Sequence, residues 1–108
     1  MTNKFLAVAA TAALFACKQT DAADLTLYFM PGCPHCHNAI EFIDSELAGV
    51  SVEKIDITKG GFSTDKFNAA LKKCGLESRG VPLIIIKGQC LQGYGPERGA
   101  EIKKILGK

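Results

Sequence analysis

Blocks of apolar residues, separated by glycine, proline and polar stretches, run along most of the chain. The run at 25–30, rich in β-formers, and the continuous apolar run at 81–86 predict two buried strands. Residues 50–57 alternate between apolar and polar positions, which predicts a third strand. Residues 90–94 follow a glycine-containing turn and predict a hairpin partner for the strand at 81–86.

Apolar residues at helical spacing lie between these strands. The first predicted helix opens at Pro34, because a proline is tolerated in the first turn of a helix. Ser63 or Thr64 can cap a second helix that stops at Gly75, and Pro96 opens a last one. The predicted order of elements is βαβαββα, which indicates an α/β fold with a sheet flanked by helices.

The first residues of the chain have the composition of an export signal. Lys4 precedes residues 5–16, which are apolar except for Thr11 and too short to span a bilayer as a mature helix. Leu14-Phe15-Ala16-Cys17 resembles the bacterial lipobox, whose cysteine becomes the lipid-modified first residue. Small residues at 20–23 suit ordinary signal cleavage instead. The two processing sites are alternatives.

Either leader, once removed, leaves enough chain for one small domain. We predict that residues 1–23 are a leader and tether, and that residues 24–108 form one domain. The domain is expected in the bacterial periplasm, either free or anchored to the membrane by a lipid on Cys17. A net charge of only +2 does not indicate a nucleic-acid partner. Four of the five cysteines lie beyond the leader, an even set that suits disulfide chemistry in an oxidising compartment.

The segment Cys33-Pro34-His35-Cys36 contains the predicted catalytic residues. Two cysteines at this spacing, at the start of a helix, can close a small disulfide ring. Unpaired N–H groups and the helix dipole favour an anion at Cys33, which we predict to be the nucleophilic thiolate. Cys36 lies one turn further in and is predicted to attack the mixed disulfide and resolve it.

The dipeptide Pro34-His35 between the two cysteines is predicted to tune the pair. His35 can donate a hydrogen bond or a positive charge toward the Cys33 thiolate. Because stabilising the reduced form makes a disulfide a stronger oxidant, the histidine favours donating disulfides over removing them. The alternative role for His35 is that of a solvent-exposed spacer.

The same segment also satisfies the C-x-x-C-H signature for attachment of a c-type haem, because His37 follows Cys36. A haem iron needs a second axial ligand, and the candidates beyond the leader, Met30 and His35, are crowded against the motif. The predicted strand at 83–86 also disagrees with a mainly helical cytochrome. Haem attachment is therefore the weaker alternative.

A metal-binding module is a further alternative. Cys33, Cys36 and His37 could bind Zn²⁺ or Cu⁺. Against this, Pro34 together with the proline at the start of the 81–86 strand favours a redox site over an open ligand loop. We therefore predict no metal site.

Cys74 and Cys90 are the remaining pair of cysteines. Cys74 ends the second predicted helix and Cys90 begins the last strand, so a structural disulfide would join helix to hairpin. Such a bridge typically stabilises a protein by ~2–4 kcal/mol. The alternative is two buried free thiols that pack as small apolar groups, and the Cα separation decides between the two.

Residues 28–36, the Val81-Pro82 step and Gln92-Gly93-Tyr94 together resemble the glutaredoxins and the related redoxins that serve ribonucleotide reductase. The resemblance implies the thioredoxin fold, with a four-stranded mixed sheet flanked by helices. It also implies a cis peptide bond before Pro82 and a substrate-binding role for Val81 and Pro82, with the Val81 backbone facing an extended substrate. The implied activity is thiol–disulfide exchange with protein thiols.

Three positions depart from the glutaredoxin pattern. Gly80 replaces the usual threonine, Met30-Pro31 replaces a basic residue, and residues 95–98 replace the acidic clamp for glutathione. Glutathione is therefore a doubtful partner, and no cofactor is expected beyond the redox-active disulfide. The expected partners are protein thiols or disulfides and a membrane redox protein. The protein itself is expected to be a monomer. The Cys-Pro-His-Cys segment is also similar to that of the periplasmic dithiol oxidases, whose helical insertion is absent here.

Overall fold

The computed structural model describes residues 23–108. The predicted leader and the predicted lipidation at Cys17 lie outside these residues. Within the described part of the chain, no helix is both long and apolar enough to cross a membrane.

Strands and helices follow one another in the predicted order βαβαββα. The strands are β1 (Leu25–Phe29), β2 (Val52–Asp56), β3 (Leu83–Ile86) and β4 (Gln89–Gln92). The helices are α1 (Pro34–Glu46), α2 (Phe62–Cys74) and α3 (Pro96–Leu106), with a short 3₁₀ helix at Ile57–Lys59. The prediction of the element order is therefore confirmed.

The four strands form one mixed sheet in the order β2-β1-β3-β4. β1 runs parallel to β2 and antiparallel to β3, and β3 pairs with β4 as a hairpin. Tyr28 near the end of β1 lies opposite Leu83 at the start of β3, and Leu83 lies opposite Gln92 at the end of β4. The residues after β1, before β3 and after β4 therefore meet at one edge of the sheet.

Both faces of the sheet are covered, because successive side chains of a strand point to opposite faces. The face toward α1 and α3 buries Leu25, Leu27, Ala39, Ile43, Leu47, Ile84, Ile86, Leu91 and Ile102. The face toward α2 buries Tyr28, Ile55, Phe67, Ala70, Leu71 and Leu83. Each fully buried aliphatic or aromatic side chain contributes roughly 1.5–3 kcal/mol relative to exposure, so the two clusters hold all three helices against the sheet.

The start of α2 corrects one prediction. Neither Ser63 nor Thr64 caps the helix, which begins at Phe62 with Gly61 as its N-cap and no side-chain cap. Gly60 and Gly61 both have positive φ, 78° and 52°, and turn the chain into the helix earlier than the hydroxyl residues. The C-terminal stop is confirmed, since Gly75 has left-handed backbone angles.

β1 and β2 are shorter than the ranges 25–30 and 50–57 that their patterns predict, and the hairpin strands β3 and β4 also differ from their predicted bounds. β3 begins at Leu83 rather than at residue 81, because Val81 and Pro82 precede the paired region. β4 ends at Gln92 rather than at residue 94, and Gly93 with φ 95° turns the chain away from the hairpin. Both departures lie at the edge of the sheet where β1 ends.

Candidate active site

Cys33 and Cys36 lie at the first turn of α1. Cys33 is the N-cap residue, with extended backbone angles of φ −96° and ψ 114°, and Pro34 is the first helical residue. The Cys33 sulfur accepts a hydrogen bond of 3.1 Å from the backbone N–H of Cys36. An N–H group that the helix leaves unpaired is thus aimed at the Cys33 sulfur, where it stabilises an anion.

The two cysteines differ in exposure. Cys33 is half-buried, whereas Cys36 is 0% exposed. The pKa of the Cys36 thiol is raised to about 12, mainly by burial and then by its hydrogen bond and electrostatic interaction with Cys33, against a lowering by a hydrogen bond with the Met30 backbone. Cys36 is therefore held as a neutral thiol behind an accessible Cys33.

Val81 and Pro82 face the cysteines across the edge of the sheet. The Cys33 sulfur is 3.9 Å from the Val81 carbonyl oxygen, the geometry of a weak thiol hydrogen bond. The Val81-Pro82 peptide bond is cis, as the resemblance implies, and the Pro82 side chain is buried. Within residues 23–108, Val81 makes no backbone hydrogen bond. Its N–H group is therefore open to an extended chain, and its C=O group accepts only the weak hydrogen bond from the Cys33 thiol.

His35 does not form the predicted hydrogen bond with Cys33. Among the described residues, the hydrogen bond to the Cys33 sulfur comes from the Cys36 N–H. The exposed His35 side chain instead borders a groove with Asn38 and Tyr94. The neighbouring His37 donates from Nε2 to the Pro31 carbonyl oxygen. The histidine within the motif can therefore act on Cys33 only through its charge.

The groove beside the motif has a volume of about 490 Å³ and runs between α1 and the start of α3. Its apolar wall is made by Phe42 and Tyr94, whose ring centroids are 6.0 Å apart. The charged residues that line it are Glu41 and Glu46, and no lysine or arginine of the described chain does so. The groove is therefore apolar with an acidic border.

The loop before Val81 is held by Gln92, which Arg98 holds in turn, and the sequence analysis gave neither residue this role. The Gln92 side-chain amide donates to the carbonyl oxygens of Ser78 and Gly80, at 2.9 and 3.0 Å. Arg98 donates to the carbonyl oxygens of Gln92 and Gly93, at 3.0 and 3.1 Å. In the sequence, Gln92 stood out only as part of the Gln92-Gly93-Tyr94 segment that resembles the glutaredoxins.

The second pair of cysteines lies away from this edge. Cys74 and Cys90 form a disulfide with their Cα atoms 6.1 Å apart. The bond joins the end of α2 to the edge strand β4 and leaves Cys33 and Cys36 as the free cysteines of the described chain.

The donor groups of the motif do not converge as a metal centre would require. Within residues 23–108, no three His, Cys, Asp or Glu side chains form a group that could hold a metal ion. The His37 side chain is turned to the Pro31 carbonyl rather than to the sulfurs. The described residues thus give no geometric support to the metal-binding alternative.

Comparison with known proteins agrees with this arrangement. Residues 25–91, more than half of the chain, match the family described as Glutaredoxin. The Gene 56 protein of Mycobacterium phage D29 is 29% identical over 79 residues, which cover 72% of this chain and 80% of the phage protein.

Solved structures show the same fold. A glutaredoxin (grx-1) from Archaeoglobus fulgidus matches with a TM-score of 0.62 and 27% identity, covering 77% of this chain and 88% of that one. Oxidized glutaredoxin 2 from Chlamydomonas reinhardtii matches with a TM-score of 0.60 and 22% identity, covering 91% and 92%. By its sequence, its order of elements and its mixed sheet, the chain belongs to the glutaredoxin family of the thioredoxin superfamily, a fold that supports thiol–disulfide oxidoreductase chemistry.

Proposed function

We propose that this protein exchanges disulfides with protein thiols, and that Cys33 and Cys36 cycle between dithiol and disulfide. The observation that carries the proposal is the asymmetry of the pair. Cys33 is accessible, receives a helix N–H at 3.1 Å and faces Val81, whereas Cys36 is buried behind it. One sulfur is arranged to attack a substrate, and the other to complete the exchange from within.

The reduction of a substrate takes two steps. The Cys33 thiolate attacks one sulfur of the substrate disulfide, forms a mixed disulfide, and releases the other sulfur as a thiolate that takes a proton from solvent. Cys36 then loses its proton and attacks the Cys33 sulfur, which releases the second substrate thiol and leaves a Cys33–Cys36 disulfide. Two electrons pass from the pair to the substrate, and the reverse sequence oxidises a substrate dithiol.

The raised pKa of Cys36 sets the order of these steps. Burial is its largest cause, and the interaction with Cys33 adds to it. When Cys33 enters a mixed disulfide, its sulfur no longer carries a negative charge. The electrostatic contribution of Cys33 to the raised pKa of Cys36 is then removed. The proposed mechanism therefore makes Cys36 more easily ionised after a substrate has been captured.

The substrate proposed for this site is an extended segment of protein. The N–H and C=O groups of Val81 can pair with its main chain while Cys33 attacks its sulfur. Glutathione fits less well. It carries two carboxylates, and the groove that His35 borders presents Glu41 and Glu46 but no lysine or arginine of the described chain.

The direction of exchange is proposed from His35. A positive charge two residues from Cys33 favours the thiolate and hence the reduced pair, which makes the disulfide the better donor. We further propose that the protein works as an exported monomer that meets a membrane redox partner. The location rests on the sequence of residues 1–23 alone.

Two serine variants test the role of each cysteine. Cys33→Ser removes the attacking sulfur and is expected to abolish exchange with a disulfide-bonded protein substrate. Cys36→Ser is expected to accumulate the mixed disulfide, visible by mass spectrometry as the sum of the two masses. Full activity of Cys33→Ser, or a mixed disulfide formed at Cys36, would refute the assignment.

A further inference from the structure

The segment between α2 and β3 has little internal structure, yet it carries the substrate-facing residue Val81. Its residues 77–80 are all exposed. Its backbone makes few local bonds, among them Leu76 N–H to the Leu71 carbonyl at 2.9 Å and Gly80 N–H to Ser78 Oγ at 3.2 Å. The Arg79 side chain ties the segment to α2, since it donates to the Asn68 side-chain oxygen and lies over the Phe67 ring. A segment this exposed needs support from outside itself to hold one conformation.

For the backbone next to Val81, this support comes from the Gln92 side chain. Its Nε2 donates to the carbonyl oxygens of Ser78 and Gly80, at 2.9 and 3.0 Å, and an amide nitrogen has two N–H groups for these two acceptors. Because both partners are carbonyl oxygens that can only accept, the nitrogen and not the oxygen of the amide must face them. A Cβ atom placed on Gly80 would lie 3.7 Å from Nε2, so the amide packs directly against this residue.

Gln92 itself is held in place from two sides. Its backbone lies in β4 opposite Leu83, and its carbonyl oxygen accepts from Arg98 Nη2 at 3.0 Å. The next residue, Gly93, donates to the Pro82 carbonyl at 2.8 Å and accepts from Arg98 Nε at 3.1 Å. The first turn of α3 is thereby connected to the loop through Gln92.

The contact with Gly80 has a consequence for Val81. The Gly80 carbonyl and the Val81 N–H belong to one peptide unit, which is planar, and this unit is trans because the cis bond is the next one. In a trans peptide the C=O and N–H groups point in opposite directions. Fixing the Gly80 carbonyl on Gln92 therefore fixes the Val81 N–H pointing away from Gln92, into the open side of the loop.

We propose that Gln92 is a positioning residue that orients the Val81 backbone for pairing with an extended substrate. This inference rests on the proposed function. Gln92 determines how well the site binds a peptide backbone, but not how well it reacts with a small disulfide that carries no peptide. A substrate without a main chain does not use the Val81 N–H, so its reaction rate should not depend on Gln92.

Two probes separate these cases. The first is a short extended peptide whose cysteine carries a thionitrobenzoate group, and the second is Ellman's reagent, the corresponding small disulfide without a peptide. Prereduced full-length protein attacks either probe through Cys33 and releases coloured thionitrobenzoate, the better leaving group. Cys36 then releases the peptide thiol, and the pair is left oxidised, so a single turnover needs no further reductant.

Gln92→Met keeps the length of the side chain and removes both donors. We expect the half-saturating peptide concentration to rise about five- to tenfold, with the limiting rate and the rate with Ellman's reagent unchanged. Gln92→Glu, whose carboxylate cannot donate, should behave the same way or worse. Gln89→Met, at the other end of β4, is the matched control and should match the wild-type protein.

Two results would overturn the inference. The first is an unchanged half-saturating peptide concentration in both Gln92 variants. The second is an equal loss of reactivity with both probes, which would mark a merely structural role. If Gln92→Met did not fold, Gln92→Glu would decide the same question. A wild-type protein that reacted with neither probe would instead refute the proposed function itself, so the two failures are distinguishable.

Discussion

The two pairs of cysteines in this chain have the same chemistry and opposite surroundings. Cys33 and Cys36 lie within one helical turn, as free thiols at the edge of the sheet where β1 ends. Cys74 and Cys90 come from different elements, 16 residues apart, and are joined across the outer part of the sheet. The Cys36 N–H at the start of α1 donates to the Cys33 sulfur of the first pair. The position of Cys33 at a helix N-terminus therefore distinguishes the reactive pair from the structural bridge.

The largest expected effect on stability comes from removing the bridge. The double variant Cys74→Ser/Cys90→Ser opens a ring closed over 16 residues of separation, which should lower the free energy of unfolding by about 3 kcal/mol. Urea denaturation of the oxidised wild-type and variant proteins measures this difference. Exchange activity under native conditions should persist, and its loss would mean that the second pair takes part in the reaction.

The second expected effect is a pH dependence that belongs to one pair only. In the reduced protein the pKa of Cys36 is about 12, against about 8.5 for a cysteine in an unfolded chain. Between these values the folded state holds a proton that the unfolded state has lost, so stability is full below about 8.5 and falls as pH rises toward about 12.

The measurement is the urea midpoint of the Cys33–Cys36 dithiol form at about pH 7 and about pH 10. Cys36→Ala is the control, because it removes the titrating thiol and should make the decrease smaller. The Cys74–Cys90 bridge contributes no thiol to this titration while it stays oxidised. An equal decrease in wild type and Cys36→Ala would assign the pH dependence to other groups.

The smallest expected effect is on the reduction potential of the reactive pair. His35→Tyr removes the imidazole charge and should lower the potential of Cys33–Cys36 by roughly 30 mV for each 1.4 kcal/mol of lost thiolate stabilisation. Equilibration with a redox buffer of known potential gives the value. His37→Gln serves as the control, because the His37 side chain faces the Pro31 carbonyl. An unchanged potential in His35→Tyr would leave the imidazole without a tuning role.

The local signals in the sequence predicted the elements around the reactive pair well. Pro34 marked the start of α1, and glycine at position 75 marked the end of α2, because each residue acts through its own backbone angles. The prediction failed at Ser63 and Thr64, where two glycines before them turn the chain first. A good capping residue nearby does not decide where a helix begins when the preceding turn already sets its direction.

Contacts between distant parts of the chain were much harder to predict. The 6.1 Å between the Cα atoms of Cys74 and Cys90 exists only once α2 has packed on the sheet beside β4. Likewise, nothing in the pattern of β4 shows that the Gln92 amide reaches a carbonyl 12 residues earlier. The position of His35 in the motif suggested a contact with Cys33, but its side chain lies along the groove instead.

The bridge also determines what a protease would leave behind. Arg79 lies in the exposed stretch before Val81 and inside the ring that Cys74 and Cys90 close. A cut after Arg79 would place the reactive cysteines on one fragment and the substrate-facing Val81 on the other. The two fragments would stay covalently joined through sulfur. The nicked protein would run as one species without reductant and as two with it, and both halves of the site would remain tethered in one molecule.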